Sequence, residues 1–352
     1  MGLKAAKVAA LSFARHAGID RAILRSAWRR HRLPILCFHG VSTEDEHECF
    51  PGFFIPQEMF RRKLALIREL DVTVLPLEEA IDRLASGTLP RRSAVLTIDD
   101  GFYAAYAKGA GLLAEFGCPA TVYMTTHYVR HSRPVFDNMC VYLLWKASGS
   151  ELRWNAIFPQ PTILDCAGRN YAERVIREHA LREQLSSHEK DRLLAELASR
   201  LGIDYDALCR RRLFHLINAD EMRSWTGVRF ELHTHRHRVS RDRARFRELV
   251  LRNAAELRHI TGYESQHFAY PGGVYLPEHV DWLRELGIKS ATTCVAGLAT
   301  AKSSRWMLPR AMDTAHLSIQ ELGSWLTGVA GLLPVRSYPL DTSQFEGEPS
   351  AN

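Results

Sequence analysis

The sequence predicts an α/β fold: a distorted (β/α) barrel of seven or eight strands with a helical insertion. Three observations carry that expectation. Short apolar runs alternate with helical patterns from Pro34 onward, as in parallel sheets built from strand–helix units. The runs are numerous enough to suit a closed barrel better than an open sheet. Asp, His and Arg residues also collect just after several runs, where parallel α/β proteins place reactive groups.

In chain order, residues 1–32 read as a basic helical extension. Lys4, Lys7, Arg15, Arg21, Arg25, Arg29, Arg30 and Arg32 stand against Asp20 alone. Of a formal net charge of +6, this segment carries +7 and the rest of the chain −1. Two readings fit it: an amphipathic basic helix pair resting peripherally on an anionic membrane face or a partner, or a solvated extension packed on the domain. No nucleic-acid partner is expected, because the body lacks a basic stripe with interleaved aromatics. The leader's apolar stretches are too short for a secretory core and no small-residue cleavage site follows. The expected location is therefore cytoplasmic, at the inner membrane face if the leader binds lipid.

The barrel domain is expected over 33–325. Its candidate strands are 35–38, 72–75, 94–98, 121–124, 228–232, 267–270, 290–294 and the segment 306–309. Helical patterns lie between them, and the one starting at Tyr103 ends on Gly117, as a helix C-cap should. The interval 128–216 breaks the rhythm. It shows no clear strand and two helical patterns, the second opened by Ser186 and Glu189 as a capping box and stopped at Gly202. A helical insertion there would lie over one rim and shape a cleft. Residues 334–352 hold three prolines and little apolar content, and read as a disordered tail.

At 352 residues, 46% hydrophobic and 24% charged, the chain is neither a disordered polymer nor a coiled coil, and no apolar run could span a bilayer. Seven scattered cysteines without a C-x-x-C pair argue against a disulfide framework or a thiolate zinc site. They read as reduced thiols in packing positions.

The strand ends supply the chemistry. They carry His39, Asp99-Asp100-Gly101, His233-Thr234-His235-Arg236-His237, Tyr270-Pro271-Gly272-Gly273 and Arg310. Two adjacent carboxylates in a dry site raise each other's pKa unless a cation holds them. Asp100, His233 and His237 would give one oxygen and two ring nitrogens to a single divalent metal ion, with a coordination position left for water. Zn²⁺ is the first choice, with Co²⁺, Ni²⁺ and Mn²⁺ as alternatives. Asp99 could then act as the base. The histidines lack the Glu of a zinc-protease motif, so that chemistry is not expected.

These motifs resemble the polysaccharide deacetylases with a NodB-homology domain, carbohydrate esterase family four. T-F-D-D-G matches Thr97-Ile98-Asp99-Asp100-Gly101, with Ile for Phe. H-[ST]-x-x-H matches His233 to His237, and R-x-P-x-G aligns with 269–273. The resemblance covers roughly 33–312, with the insertion outside it. It implies metal-dependent hydrolysis of an acetamide on a sugar: Asp99 as base, Asp100, His233 and His237 on the metal, and a backbone N–H near Gly272 at the oxyanion, with Tyr270 beside the substrate. His235 and Arg236 fall at variable positions.

The sequence departs from the pattern in three places. The motif Arg is Ala269, as in the looser F-A-Y-P-x-G form seen among exopolysaccharide deacetylases, and Arg310 is expected to replace its charge from across the barrel mouth. Asp281-Trp282 echoes a family motif only by chance, since it starts a helix. The usual general-acid histidine has no clear counterpart; His39 is the first candidate and His316 the second. Two other functions compete. A glycoside hydrolase is disfavoured, because neighbouring carboxylates do not straddle a glycosidic bond. A non-catalytic saccharide-binding or scaffold protein that keeps the deacetylase fold is the stronger alternative.

Overall fold

The computed structural model describes residues 2–333 and 345–346. Seven parallel strands surround the centre: β1 (Ile35–Phe38), β2 (Ser93–Asp100), β3 (Ala120–Met124), β4 (Val228–Leu232), β5 (His267–Ala269), β6 (Ser290–Thr292) and β7 (Ala311–Met312). Their order is β6-β5-β4-β3-β2-β1-β7, and an eighth strand, Thr73–Val74, pairs only with the start of β2. The two edges meet through one segment: Leu308 bridges Thr292 of β6, while Ala311 and Met312 pair with Leu36 and Cys37 of β1. This is the distorted barrel expected. The last strand differs from the 306–309 expectation, because Pro309 has no N–H to give a ladder.

Side-chain parity along the strands separates two layers of core. Leu36, Phe38, Leu96, Ile98, Val122 and Met124 join the large cluster between sheet and helices. Ile35, Val95, Tyr123, Ala269 and Leu308 form a smaller cluster on the opposite parity, which fills the barrel interior. Continuing that inner parity up β2 gives Thr97 and then Asp99, so the polar layer of the barrel rests on an apolar plug.

The leader forms helices Gly2–His16, Ile19–Arg25 and Ala27–Arg30. Leu11 and Leu24 are buried, and Arg15 pairs with Glu69 at 2.6 Å. Arg29 is fully enclosed and donates to the carbonyls of Leu326 and Ser93. Ser93 begins β2, so the leader is packed on the floor of the barrel, about 20 Å from the strand's other end. Among the described residues no helix is long and apolar enough to cross a membrane.

The interval 128–216 is helical as expected, with Phe136–Lys146, Cys166–Arg182, Ser187–Arg200 and Tyr205–Arg210. Ser186 and Glu189 close their capping box. The interval also holds a small antiparallel pair, Glu151–Leu152 with Thr162–Ile163, that periodicity did not reveal because it is two residues long. Most of the expected disordered tail lies outside the described residues. At 345–346, however, Phe345 is buried and Glu346 is held by Arg245 through two hydrogen bonds. The seven cysteines are unpaired; Cys166 is exposed rather than packed.

Candidate metal centre and cleft

Asp99 and Asp100 end β2 and point differently because strand neighbours alternate. Asp99 enters the barrel mouth. Asp100 has φ 69°, a left-handed backbone that ends the strand's alternation. Gly101 follows at φ 83°, and a Cβ there would lie 1.9 Å from the buried Met124 sulfur. Glycine is required on both counts.

The segment after β4 is bent in the same way, with Thr234 at φ 60° and His237 at φ 54°. For a β-branched residue such as Thr234 this is a costly conformation, of order 1–3 kcal/mol, that surrounding structure must enforce. Asn253, fully buried on helix Arg243–Thr261, does part of that. Its Oδ1 accepts from His233 N–H at 2.9 Å, and its Nδ2 donates to the Met124 carbonyl and to Thr126 Oγ1, both at 3.0 Å. Thr126 in turn contacts His235 Nδ1 at 2.9 Å.

These bends bring together Asp100, His233 and His237, whose ligand atoms lie within 4.8 Å of one another. His233 Nε2 is 3.3 Å and His237 Nε2 3.2 Å from Asp100 Oδ1. His233 Nδ1 sits 2.8 Å from the Ala269 carbonyl, which can only accept, so the ring proton is on Nδ1 and Nε2 presents a lone pair toward Asp100. Asp100 Oδ1 itself is buried and receives no aligned hydrogen bond. A carboxylate oxygen without a hydrogen-bond donor, facing two ring nitrogens in a partly buried site, is a donor set that fits a divalent metal. A second cluster, Cys37, His39 and Asp99, fits poorly, because Arg310 already balances the Asp99 charge and burial holds the Cys37 thiol protonated well above its ordinary range.

Arg310 holds both Asp99 oxygens. Its Nη1 and Nη2 each stand 2.7 Å from one Asp99 oxygen, and Nε donates to the Thr293 carbonyl at 3.0 Å. Both side chains are buried. Burial alone would raise the Asp99 carboxyl, but the guanidinium charge and its hydrogen bonds outweigh that and hold it below its ordinary value.

His39 is buried beside Asp99, 8% exposed, with Nδ1 unpartnered. Phe53 covers it edge-on at 5.1 Å between ring centroids. Burial lowers its pKa against the pull of Asp100 and Asp99. His316 is exposed in the turn before helix Ile319–Thr327 and does not line the cleft.

Of the two expected substrate contacts, Tyr270 is turned away from the cleft. Tyr270 is wholly buried: its ring packs on Phe268 and Tyr275, and its hydroxyl donates to the Trp306 carbonyl at 3.2 Å. Gly272 is exposed at φ 59° in the Pro271–Gly273 turn. The turn itself stays against the centre: the Ala269 carbonyl at its start meets His233 Nδ1, and a Cβ on Gly273 would lie 2.6 Å from the Cys294 Cβ.

Above the centre opens a cleft of about 850 Å³ that reaches Asp100, His235 and His237. Its walls come from the insertion, through Tyr128, Phe136, Arg177 and Lys190, and from Phe50, Phe53 and Phe102. The insertion thus shapes the cleft. Asn253, Phe53 and Thr126 were not foreseen. Asn253 could have been: it interrupts an apolar stripe of Leu249, Val250, Leu257 and Ile260, where a polar residue needs a reason.

Residues 217–291 match the polysaccharide deacetylase family model, a stretch that includes His233 and His237 but not the aspartate motif. No curated protein matches the chain. Among solved structures, the Streptococcus pyogenes deacetylase PplD, in complex with acetate, is similar with TM-score 0.56 at 15% identity, over 86% of this chain and 99% of that one. The de-N-acetylase from Aggregatibacter actinomycetemcomitans gives 0.54 at 12% identity, over 84% and 99%. IcaB from Ammonifex degensii gives 0.53 at 17%, over 84% and 97%. In sequence across residues 217–291, and in fold across most of its length, the chain is similar to the polysaccharide deacetylases, so the family resemblance read from its motifs holds.

Proposed function

We propose that this chain is a metal-dependent hydrolase that removes the acetyl group from the nitrogen of an N-acetylated sugar, polysaccharide or glycolipid-linked saccharide. One observation carries the reading: Asp100, His233 and His237 converge at the base of a large cleft, beside an aspartate fixed by a buried arginine. When bound there, a divalent ion such as Zn²⁺ would polarise an acetyl carbonyl and ease the deprotonation of water.

The chain's own residues supply the rest. Asp99 stays ionised, and each of its oxygens keeps a lone pair beyond the one given to Arg310, so it can accept a proton at Oδ1 or Oδ2. Arg310 orients that carboxylate and cannot itself give up a proton. His39, whose pKa burial lowers, lies close to both aspartates and is the candidate to relay the proton taken from water to the departing nitrogen. Phe50, Phe53, Phe102 and Tyr128 offer flat walls for sugar rings, and Phe53 shields His39 from bulk water.

Acetate release from N-acetylglucosamine oligomers tests the proposal. The Zn²⁺-loaded protein is expected to release acetate, chelation to abolish it, and Asp99→Asn to lower turnover by roughly 10² or more. Oligomer binding with no acetate release at any metal loading would favour a saccharide-binding protein instead.

A further inference from the structure

The reacting acetamide leaves most of the cleft unexplained, and its charges are unevenly matched. We propose that the substrate carries an anionic group, phosphate or carboxylate, seated between Lys190 and Arg236; this rests on the deacetylase reading. Lys190 comes from helix Ser187–Arg200 of the insertion and Arg236 from the bend after β4, and both line the cleft.

The other charges there are accounted for. Arg177 contacts both Asp137 and Glu173, at 3.2 and 2.9 Å. Arg238 stands 3.7 Å from Asp137, and Glu346 is bound by Arg245. Asp100 faces the two imidazoles. Among the described residues, Lys190 and Arg236 are left with no carboxylate and no side-chain hydrogen bond. Lys190 lies 5.5 Å over the Phe136 ring, a weak substitute for an ion pair.

Their surroundings sharpen the imbalance. Burial depresses the Lys190 ammonium; Asp137 opposes this, while Arg236, Arg238 and Arg177 depress it further. Arg177 and Arg238 are offset by Asp137 and Glu173, so the uncompensated charge is that of Lys190 and Arg236, which an anion between them would balance. A neutral acetamido sugar needs hydroxyl partners and flat walls, and would leave both cations uncompensated. Arg236 also sits directly before His237, so an anion held there is fixed relative to the metal centre.

The experiment uses the full chain loaded with Zn²⁺ and three oligosaccharides of equal length: a neutral N-acetylglucosamine oligomer, one bearing a phosphate ester, and one bearing a uronate carboxylate. Affinity is measured by calorimetry and acetate release by kcat/KM. An anionic oligomer is expected to bind at least tenfold tighter than the neutral one and to show the higher kcat/KM, and the better of the two names the source. Lys190→Gln and the exposed Arg236→Gln should each collapse the anionic-to-neutral ratio toward one. Equal affinity for all three, or a ratio unchanged in both variants, overturns the proposal even if acetate is released. If no oligomer releases acetate, the deacetylase reading fails, and the affinity ratio alone decides the anion site.

Discussion

Arg310 grips Asp99 with two parallel hydrogen bonds of 2.7 Å, reaching across the barrel from the segment before β7 to the end of β2. Removing the arginine alone strands a buried carboxylate, a change that typically costs about 3–5 kcal/mol, whereas removing both charges together is often close to neutral. Arg310→Met should therefore lower stability by about 3 kcal/mol or more in urea unfolding, and Asp99→Leu added to it should restore most of the loss. Arg310→Lys keeps the charge but not the fork, so it should fold better than Arg310→Met and still lose activity. A double variant no more stable than Arg310→Met would mean that the pair carries no such penalty.

The metal ligands can be removed without disturbing the backbone if the replacement tolerates positive φ. Asp100 and His237 both sit in the left-handed region, where Asn is among the few comfortable side chains. Asp100→Asn and His237→Asn should fold with melting temperatures near that of the metal-free wild type. Addition of Zn²⁺ should raise the wild-type melting temperature, by ligand linkage, and have little effect on either variant. An equal rise in all three proteins would place the ion elsewhere.

Most of this centre could be read from the sequence because its residues are contiguous at strand ends. Asp99-Asp100-Gly101 and His233 to His237 each show their chemistry in five residues or fewer. Arg310 is legible only as a cation that could stand in for the arginine missing at Ala269, a matter of charge balance rather than spacing. What the sequence hid depends on three-dimensional direction. Tyr270 follows a matched strand, yet its ring turns into the core. Much of the cleft wall comes from 128–216, a segment whose helices are legible but whose placement over one rim is only a topological expectation. Phe345 and Glu346 lie in a stretch whose composition gave no sign of packing, because two residues anchor there through contacts more than a hundred positions away.

Asn253 is a positioning residue. It binds the backbone on which His233 sits and, through Thr126, the His235 ring. Asn253→Leu, similar in size, would leave the His233 N–H and the Met124 carbonyl without their partner, at about 1–3 kcal/mol for each buried group. Asn253→Asp keeps the acceptor for His233 N–H but loses the donor. The expected order of Zn²⁺ affinity is wild type, Asn253→Asp, Asn253→Leu, with the last weakened about 10- to 100-fold. Loss of stability with unchanged metal affinity would make Asn253 merely structural.

Acid should test the barrel through His267, at the start of β5. Its Nδ1 meets Ser290 Oγ at 2.8 Å and its Nε2 is buried with no partner. Burial, chiefly, lowers its pKa to about 4, with Glu78 opposing. The unfolded chain titrates near 6.5, so the folded protein holds fewer protons between these values. The stability that depends on neutral His267 is therefore complete above about pH 6.5 and is lost as pH falls toward 4. Glu231, which accepts from the His267 N–H, runs the other way: burial raises it to about 7, so folding gains as pH falls from there. The two slopes partly cancel in the wild type, and the informative quantity is a difference. His267→Asn keeps a partner for Ser290 but cannot take up a proton. Its stability deficit against wild type, measured by urea unfolding at pH 7 and pH 5, should shrink by about 2 kcal/mol at the lower pH. A constant deficit would show that the imidazole does not titrate in this window, and that the acid limit of the fold lies with other groups.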